Sequence, residues 1–404
     1  MCSATANTAN LLRSLWRSGT IRELARAGLL PEFEPLRTGS AAFSLQTRVA
    51  PVLLAPAEWC GRLWQAAAGA VISLLGELYD RELTLASIRP EFVILGDACR
   101  PVYARPGAIV PATPGQVEFA IAQFAEGLLL PYFVSLARKS LTLRAVLSGD
   151  GVPGMAIAFP ELAVAAREAC APSGGSIKAR LRDLANVVAQ PLQEPDTFWS
   201  RYEQGPQGTA SMSSWPYKNQ AVERILATTA PASVLDLASN SGWYAVLAAK
   251  MGARVVAVDR DETCVNRIFG SASEGALNIA PAIVDITRRS ELHAPVPRER
   301  LTAQTRFASE FVLALAIVHH LILAPPRLDL DGIAGLLAGF TTKYLLTEFV
   351  SFDPESHNPY RPDVRPDCTP WYTLDHFLAA LGRKFGAVVV VPGPAGRRLV
   401  LAEK

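Results

Sequence analysis

Six polar residues stand where short apolar runs end. Asp236 follows Val234-Leu235, Asp259 follows Val255 to Val258, and Asp285 follows Ala282 to Val284; His319 and His320 follow Phe311 to Ala316, and Glu348 follows Tyr344 to Leu346. Runs of this kind read as buried strands, and in an open α/β sheet ligands sit outside the strands' carboxyl ends. The set offers carboxylates for a cationic or hydroxyl-bearing ligand and two imidazoles, the side chain best tuned to take a proton near neutral pH. With five histidines in 404 residues, two adjacent ones at a strand end are informative.

The densest stretch, Ser233 to Asp261, reads as strand, tight turn, helix and strand. The turn Ala238-Ser239-Asn240-Ser241-Gly242 is built of small residues that let a ligand approach the backbone. Trp243 to Met251 follows at helical spacing and Gly252 closes it. A dinucleotide pyrophosphate needs a G-x-G-x-x-G turn and is repelled by an acid ending the first strand. S-adenosylmethionine (SAM), with a cationic amine and a sulfonium, is favoured by Asp236, and the helix N-terminus suits its carboxylate. Asp259, roughly 20 residues on, is placed to take a ribose diol.

The stretch resembles motif I of class I SAM-dependent methyltransferases, D-x-G-x-G-x-G, with Ala238 and Asn240 in place of two glycines. Asn tolerates the left-handed backbone better than most residues, and Ala is small. The resemblance implies SAM as cofactor, held by Asp236, Ala238, Ser239, Asn240, Gly242, Asp259 and Asp285, the last with Ile286 at the adenine. The segment Leu313 to Leu321, LALAIVHHL, resembles motif IV, where substrate meets the methyl group, so His319, His320 and Glu348 are the expected catalytic residues and no metal is implied. Either histidine is a candidate base, and Glu348 would orient the acceptor or pair with a histidine.

These residues need a sheet to position them. Beyond the opening unit, helices at Cys264 to Ile268 and Ile333 to Phe340 alternate with the strands, and Phe385 to Val391 with Leu399 to Leu401 reads as a closing hairpin. The expected fold is α/β: a Rossmann-like methyltransferase domain over 196–404, with a mostly parallel sheet and an antiparallel C-terminal hairpin, behind a mainly helical α+β domain over 1–195. Trp199, Tyr202, Trp215 and Tyr217, just ahead of the nucleotide fold, suit either a segment closing over the cofactor or packing between domains. The long segment Ser351 to Thr373 suits an acceptor pocket.

In the front half, Ala57 to Tyr79 reads as a buried helix, Phe92 to Leu95 with Pro101 to Tyr103 as a hairpin, and Gln116 to Leu147 as helix kinked or broken at Pro131. This half is similar to the N-terminal region of two-domain methyltransferases described as nodulation-type, through Leu83-Thr84-Leu85, Arg100-Pro101-Val102-Tyr103, Gln123-Phe124 and Leu130-Pro131. Where that pattern carries acids and an amide, this chain has Ser87, Phe92 and Arg105. Phosphoryl transfer needs those groups for Mg²⁺ and the hydroxyl proton, so this half reads as a scaffold or acceptor-selecting domain.

A net charge of +2 gives no reason to expect a nucleic-acid partner. Six scattered cysteines without a C-x-x-C pair, and an N-terminus without an apolar h-region, fit a cytoplasmic protein. No stretch reads as a membrane span. The expectation is methyl transfer from SAM to a small molecule such as a sugar, a glycolipid precursor or a secondary metabolite, with oxygen favoured as acceptor atom. The alternative is a non-catalytic SAM-fold binding protein or scaffold; a nicotinamide oxidoreductase is disfavoured by Asp236 and the missing glycine pattern.

Overall fold

The computed structural model describes residues 6–36, 43–47, 52–137, 151–172, 174–202, 215–288, 291–293, 300–323, 325–352, 370–393 and 396–404. Cys2, Cys368, Asp353, His357, most of the 351–373 segment and the end of the helix expected up to Leu147 lie outside the described residues. The chain divides into two compact units, Met1–Pro195 and Asp196–Lys404.

The first unit is built on the helix Gly61–Tyr79, which buries Leu63, Trp64, Ala67, Val71, Leu74 and Leu78 at helical spacing. The hairpin is present, Val93–Leu95 pairing antiparallel with Pro101–Tyr103. The helical run from Pro114 to Leu136 is continuous, contrary to a break at Pro131. A π-helical turn at Ala125–Leu129 widens the ladder, and Pro131 falls in the first turn of the last piece, where its missing N–H costs least. By length and apolar composition this run is the one described helix able to cross a membrane, and 61% of its apolar window is buried within the protein. Phe92 and Arg105 are engaged in packing, and Ser87 takes part through its backbone. The Tyr103 hydroxyl donates to the Ser87 carbonyl, and the Arg105 guanidinium lies 4.2 Å above the Phe92 ring.

In the second unit the strands are β1 (Ser233–Leu237), β2 (Arg254–Asp259), β3 (Ile279–Ile283), β4 (Ser309–Ala314), β5 (Thr341–Val350), β6 (Ala387–Val390) and β7 (Arg397–Glu403). The helices that carry or frame the site are α1 (Tyr217–Thr229), α2 (Trp243–Lys250), α3 (Glu262–Glu274) and α4 (Val318–Leu323). The seven strands form one sheet in the order β3-β2-β1-β4-β5-β7-β6. The β1, β2, β3, β4 and β5 pairings are parallel, and β7 runs antiparallel to both β5 and β6. This is the Rossmann-like fold of the class I SAM-dependent methyltransferases. The reversed strand is not the sheet's edge, as a simple terminal hairpin suggests; it is inserted between β5 and β6.

Central strands read as apolar runs because both faces are covered. Val234, Leu235, Phe311, Val312, Leu313, Leu345 and Leu346 are all fully buried. The order reverses between β1 and β4, so the crevice at their carboxyl ends is the topological switch point.

Candidate functional site

Motif I keeps the shape of a glycine turn without two of its glycines. Ala238, Asn240 and Gly242 all have left-handed backbone, with φ of 53°, 50° and 82°. Only the last position forbids a side chain sterically: a Cβ on Gly242 would stand 2.6 Å from Ile268 Cγ1 on α3. Ser239 anchors the turn to β2 by donating its N–H to the Val258 carbonyl at 3.0 Å. Gly242 then opens α2, whose positive N-terminal end faces the turn.

The two strand-end acids differ in what they hold. Asp259 organises backbone, accepting from the Asn240 and Asp261 N–H groups at 2.8 Å each. Asp261 in turn caps α3 through Thr263 and Cys264. Asp236 is 2% exposed, and its Oδ2 has no hydrogen-bond partner among the described residues. Burial, reinforced by the nearby Asp259, pushes its carboxyl up to about 8 against the pull of Lys218 and the Ala245 N–H. A buried carboxylate oxygen with no partner is costly, and a cationic ligand would both satisfy it and lower that pKa.

A single pocket gathers Ala238, Asn240, Asp259 and Asp285 with both histidines. Asp236, Ser239 and Gly242 do not line it; Asp236 and Ser239 are buried. Asp285 lies two residues beyond the end of β3, its Oδ1 accepting from the Thr287 N–H and hydroxyl at 3.0 and 2.6 Å.

His319 and His320 are on the short helix α4, one turn past the end of β4, not on the strand's last residues. Their rings are 4.2 Å apart. Burial, then the positive neighbours His320, Arg397 and Lys218, lower His319 to about 2; burial and Arg260 lower His320 to about 4. Both are neutral imidazoles at neutral pH.

Glu348 departs from its expected place. β5 continues to Val350, so Glu348 is inside the strand, 1% exposed and not part of the pocket wall. Its Oε2 accepts from Lys218 Nζ at 2.6 Å and its Oε1 from an Arg397 guanidinium nitrogen at 3.3 Å. Lys218 stands in the first turn of α1; Arg397 opens β7 and reaches the pocket because the reversed strand starts at the carboxyl end of β5, opposite Val350. Arg397, Arg260 and Phe198 are pocket residues that the sequence reading did not single out. For Arg397 the signal was available: the start of an antiparallel strand lies at the parallel strands' carboxyl ends. Among the described residues no group of three or more His, Cys, Asp or Glu is placed to hold a metal ion.

No family model matches the chain. It is similar to the nodulation protein NoeA of Rhizobium meliloti (strain 1021), with 24% identity over 427 residues, covering 96% of this chain and 87% of that protein. Among solved structures it is similar to the bifunctional kinase-methyltransferase WbdD, with TM-score 0.32, 14% identity, 45% of this chain and 38% of that one. It is also similar to the T. thermophilus 16S rRNA N2 G1207 methyltransferase RsmC in complex with AdoMet and guanosine, with TM-score 0.29, 19% identity and 49% and 44% of the two chains. The chain spans less than half the length of these two structures. Sheet order and the likeness to NoeA agree with the nodulation-type, methyltransferase-fold reading of the sequence.

Proposed function

We propose that this chain, a NoeA relative whose second unit has the methyltransferase fold, moves a methyl group from SAM to an oxygen of a small molecule. The observation that carries the reading is the pair of acids at the left-handed turn. Asp259 closes the end of β2 beside the pocket, and Asp236 keeps a buried oxygen unsatisfied beneath it. A nucleotide with a ribose diol and a cationic amine fits that pair; a pyrophosphate does not.

Bound there, SAM supplies an electrophilic methyl on a sulfonium leaving group. The chain's part is alignment and exclusion of water. Asp259 takes the ribose hydroxyls, Asp285 the adenine side, and Asp236 the methionine amine. His320 is the candidate base for an acceptor hydroxyl: it lines the pocket, is neutral, and is less depressed than His319. Glu348 acts by holding Lys218 and Arg397 and does not meet the acceptor. Sugars, glycolipid precursors and secondary metabolites are the acceptor classes, with 1–195 as the acceptor-selecting domain. Buried thiols at Cys60, Cys99, Cys170 and Cys264 suit the reducing cytoplasm.

Calorimetric titration with SAM and its demethylated product tests the reading, with Asp259→Ala beside the wild type. The expected outcome is micromolar binding that the substitution weakens by about 100-fold, as for loss of a charged bidentate partner. A folded wild type that binds neither ligand would overturn it. Binding without turnover on any hydroxyl acceptor would leave a non-catalytic SAM-binding protein.

A further inference from the structure

Asn240, in place of the turn's middle glycine, uses its whole side chain. Oδ1 accepts from the Ser241 N–H at 2.6 Å, and Nδ2 donates to the Trp199 carbonyl at 2.8 Å. The residue is 6% exposed. A glycine would supply neither bond.

Trp199 belongs to the segment 196–202, which brings Phe198, Trp199 and Tyr202 to the pocket. Phe198 and Tyr202 are 72% and 49% exposed, so their side chains add little burial to hold this segment in place. Polar ties hold it. Thr197 and Ser200 close it into a turn, each N–H donating to the other's hydroxyl at 2.8 and 2.9 Å. Arg267 on α3 donates to the Ser200 carbonyl and, at 2.9 Å, to the Asp196 carboxylate. At its centre the Trp199 ring meets the His320 ring edge-on, centroids 5.3 Å apart.

We propose that Asn240 is a positioning residue: a latch that fixes the aromatic segment 196–202 over the nucleotide pocket and, through Trp199, fixes and covers His320. The loss of glycine at this position is then a gained contact, not a decayed motif. The same residue's N–H donates to Asp259, so one position ties the wall of the pocket to the acid at its base. Restoring the glycine should therefore harm the site, although glycine suits a φ of 50° better than asparagine does.

The experiment compares the full-length wild type with Asn240→Gly and Arg267→Gln, and one of its two arms rests on the SAM reading. In the first arm, which needs no ligand, the imidazoles are titrated by NMR. Wild-type His320 should titrate well below 6.5, and freeing Trp199 should raise its pKa by about one unit or more in either variant. In the second arm, SAM dissociation is followed by stopped-flow tryptophan fluorescence, and Asn240→Gly should release SAM about five- to tenfold faster, the factor expected for one lost hydrogen bond. An unchanged His320 titration in both variants, or an unchanged release rate in a wild type that binds SAM, overturns the latch. A wild type that binds no SAM overturns the proposed function and leaves the imidazole titration to decide the latch. Arg267→Gln, which unties the segment at Ser200 and Asp196 and leaves Asn240 in place, serves if Asn240→Gly does not fold.

Discussion

At the scale of single residues, the unusual feature is a carboxyl that the fold holds protonated. Unfolded, Asp236 would ionise near 4; in the folded chain burial and Asp259 raise it to about 8. Between these values the native state keeps a proton that the unfolded state has released, so stability falls as pH rises through this window. The histidines act in the opposite sense. Their folded values lie below 6.5, so the unfolded chain binds protons first and stability falls as pH drops below about 6.5. Asp236→Asn isolates the carboxyl: its melting temperature should gain on the wild type steadily from pH 5 to pH 8, and parallel curves would show that Asp236 is ionised throughout. The turn gives a second test. Gly242→Ala combines a left-handed φ with a 2.6 Å clash and should cost about 2 kcal/mol or more, whereas Ala238→Gly relieves strain and should gain about 1 kcal/mol or less, both read from chemical denaturation. The acids of this site were legible in the sequence because each ends an apolar run. What each acid contacts was not, since the orphaned oxygen of Asp236 depends on packing from α1 and α2.

At the scale of elements, the inserted strand decides which charges meet. Tyr344 to Glu348 reads as a strand that stops at an acid, but in the sheet β5 runs on to Val350 because β7 pairs with it along its whole second half. Glu348 is therefore a buried anion that must be compensated, and the first turn of α1 and the start of β7 each deliver a cation to it. Nothing local in sequence links Lys218, Glu348 and Arg397; the order β5-β7-β6 brings Arg397 to Glu348, and the first turn of α1 brings Lys218. Removing the carboxylate leaves two cations side by side, though both are partly hydrated and can relax toward water. Glu348→Gln should cost about 2 kcal/mol, less than the breaking of a fully buried pair. A double-mutant cycle with Arg397→Met should then show coupling, the second substitution costing less in the Glu348→Gln background than in the wild type. Additive losses would mean that Glu348 holds Lys218 alone.

At the scale of the whole molecule, the division of labour can be tested by separation. Every pocket residue lies between Phe198 and Arg397, inside the unit Asp196–Lys404. That unit has a complete seven-stranded sheet whose central strands are buried, and the ties that shape the pocket, from Asn240 to Trp199 and from Arg267 to Ser200, are internal to it. A fragment of residues 196–404 should therefore melt cooperatively and bind SAM within about threefold of the full chain, a difference well under 1 kcal/mol. Turnover is the informative contrast. If the first unit selects the acceptor, the fragment keeps SAM binding and loses methyl transfer, and adding residues 1–195 in trans restores some of it. If the fragment instead folds, binds SAM and methylates as fast as the full chain, the first unit has no part in catalysis, and the replacement of its acids by Ser87, Phe92 and Arg105 marks a scaffold. A fragment that folds but does not bind SAM would show that the second unit needs the first to complete its nucleotide site.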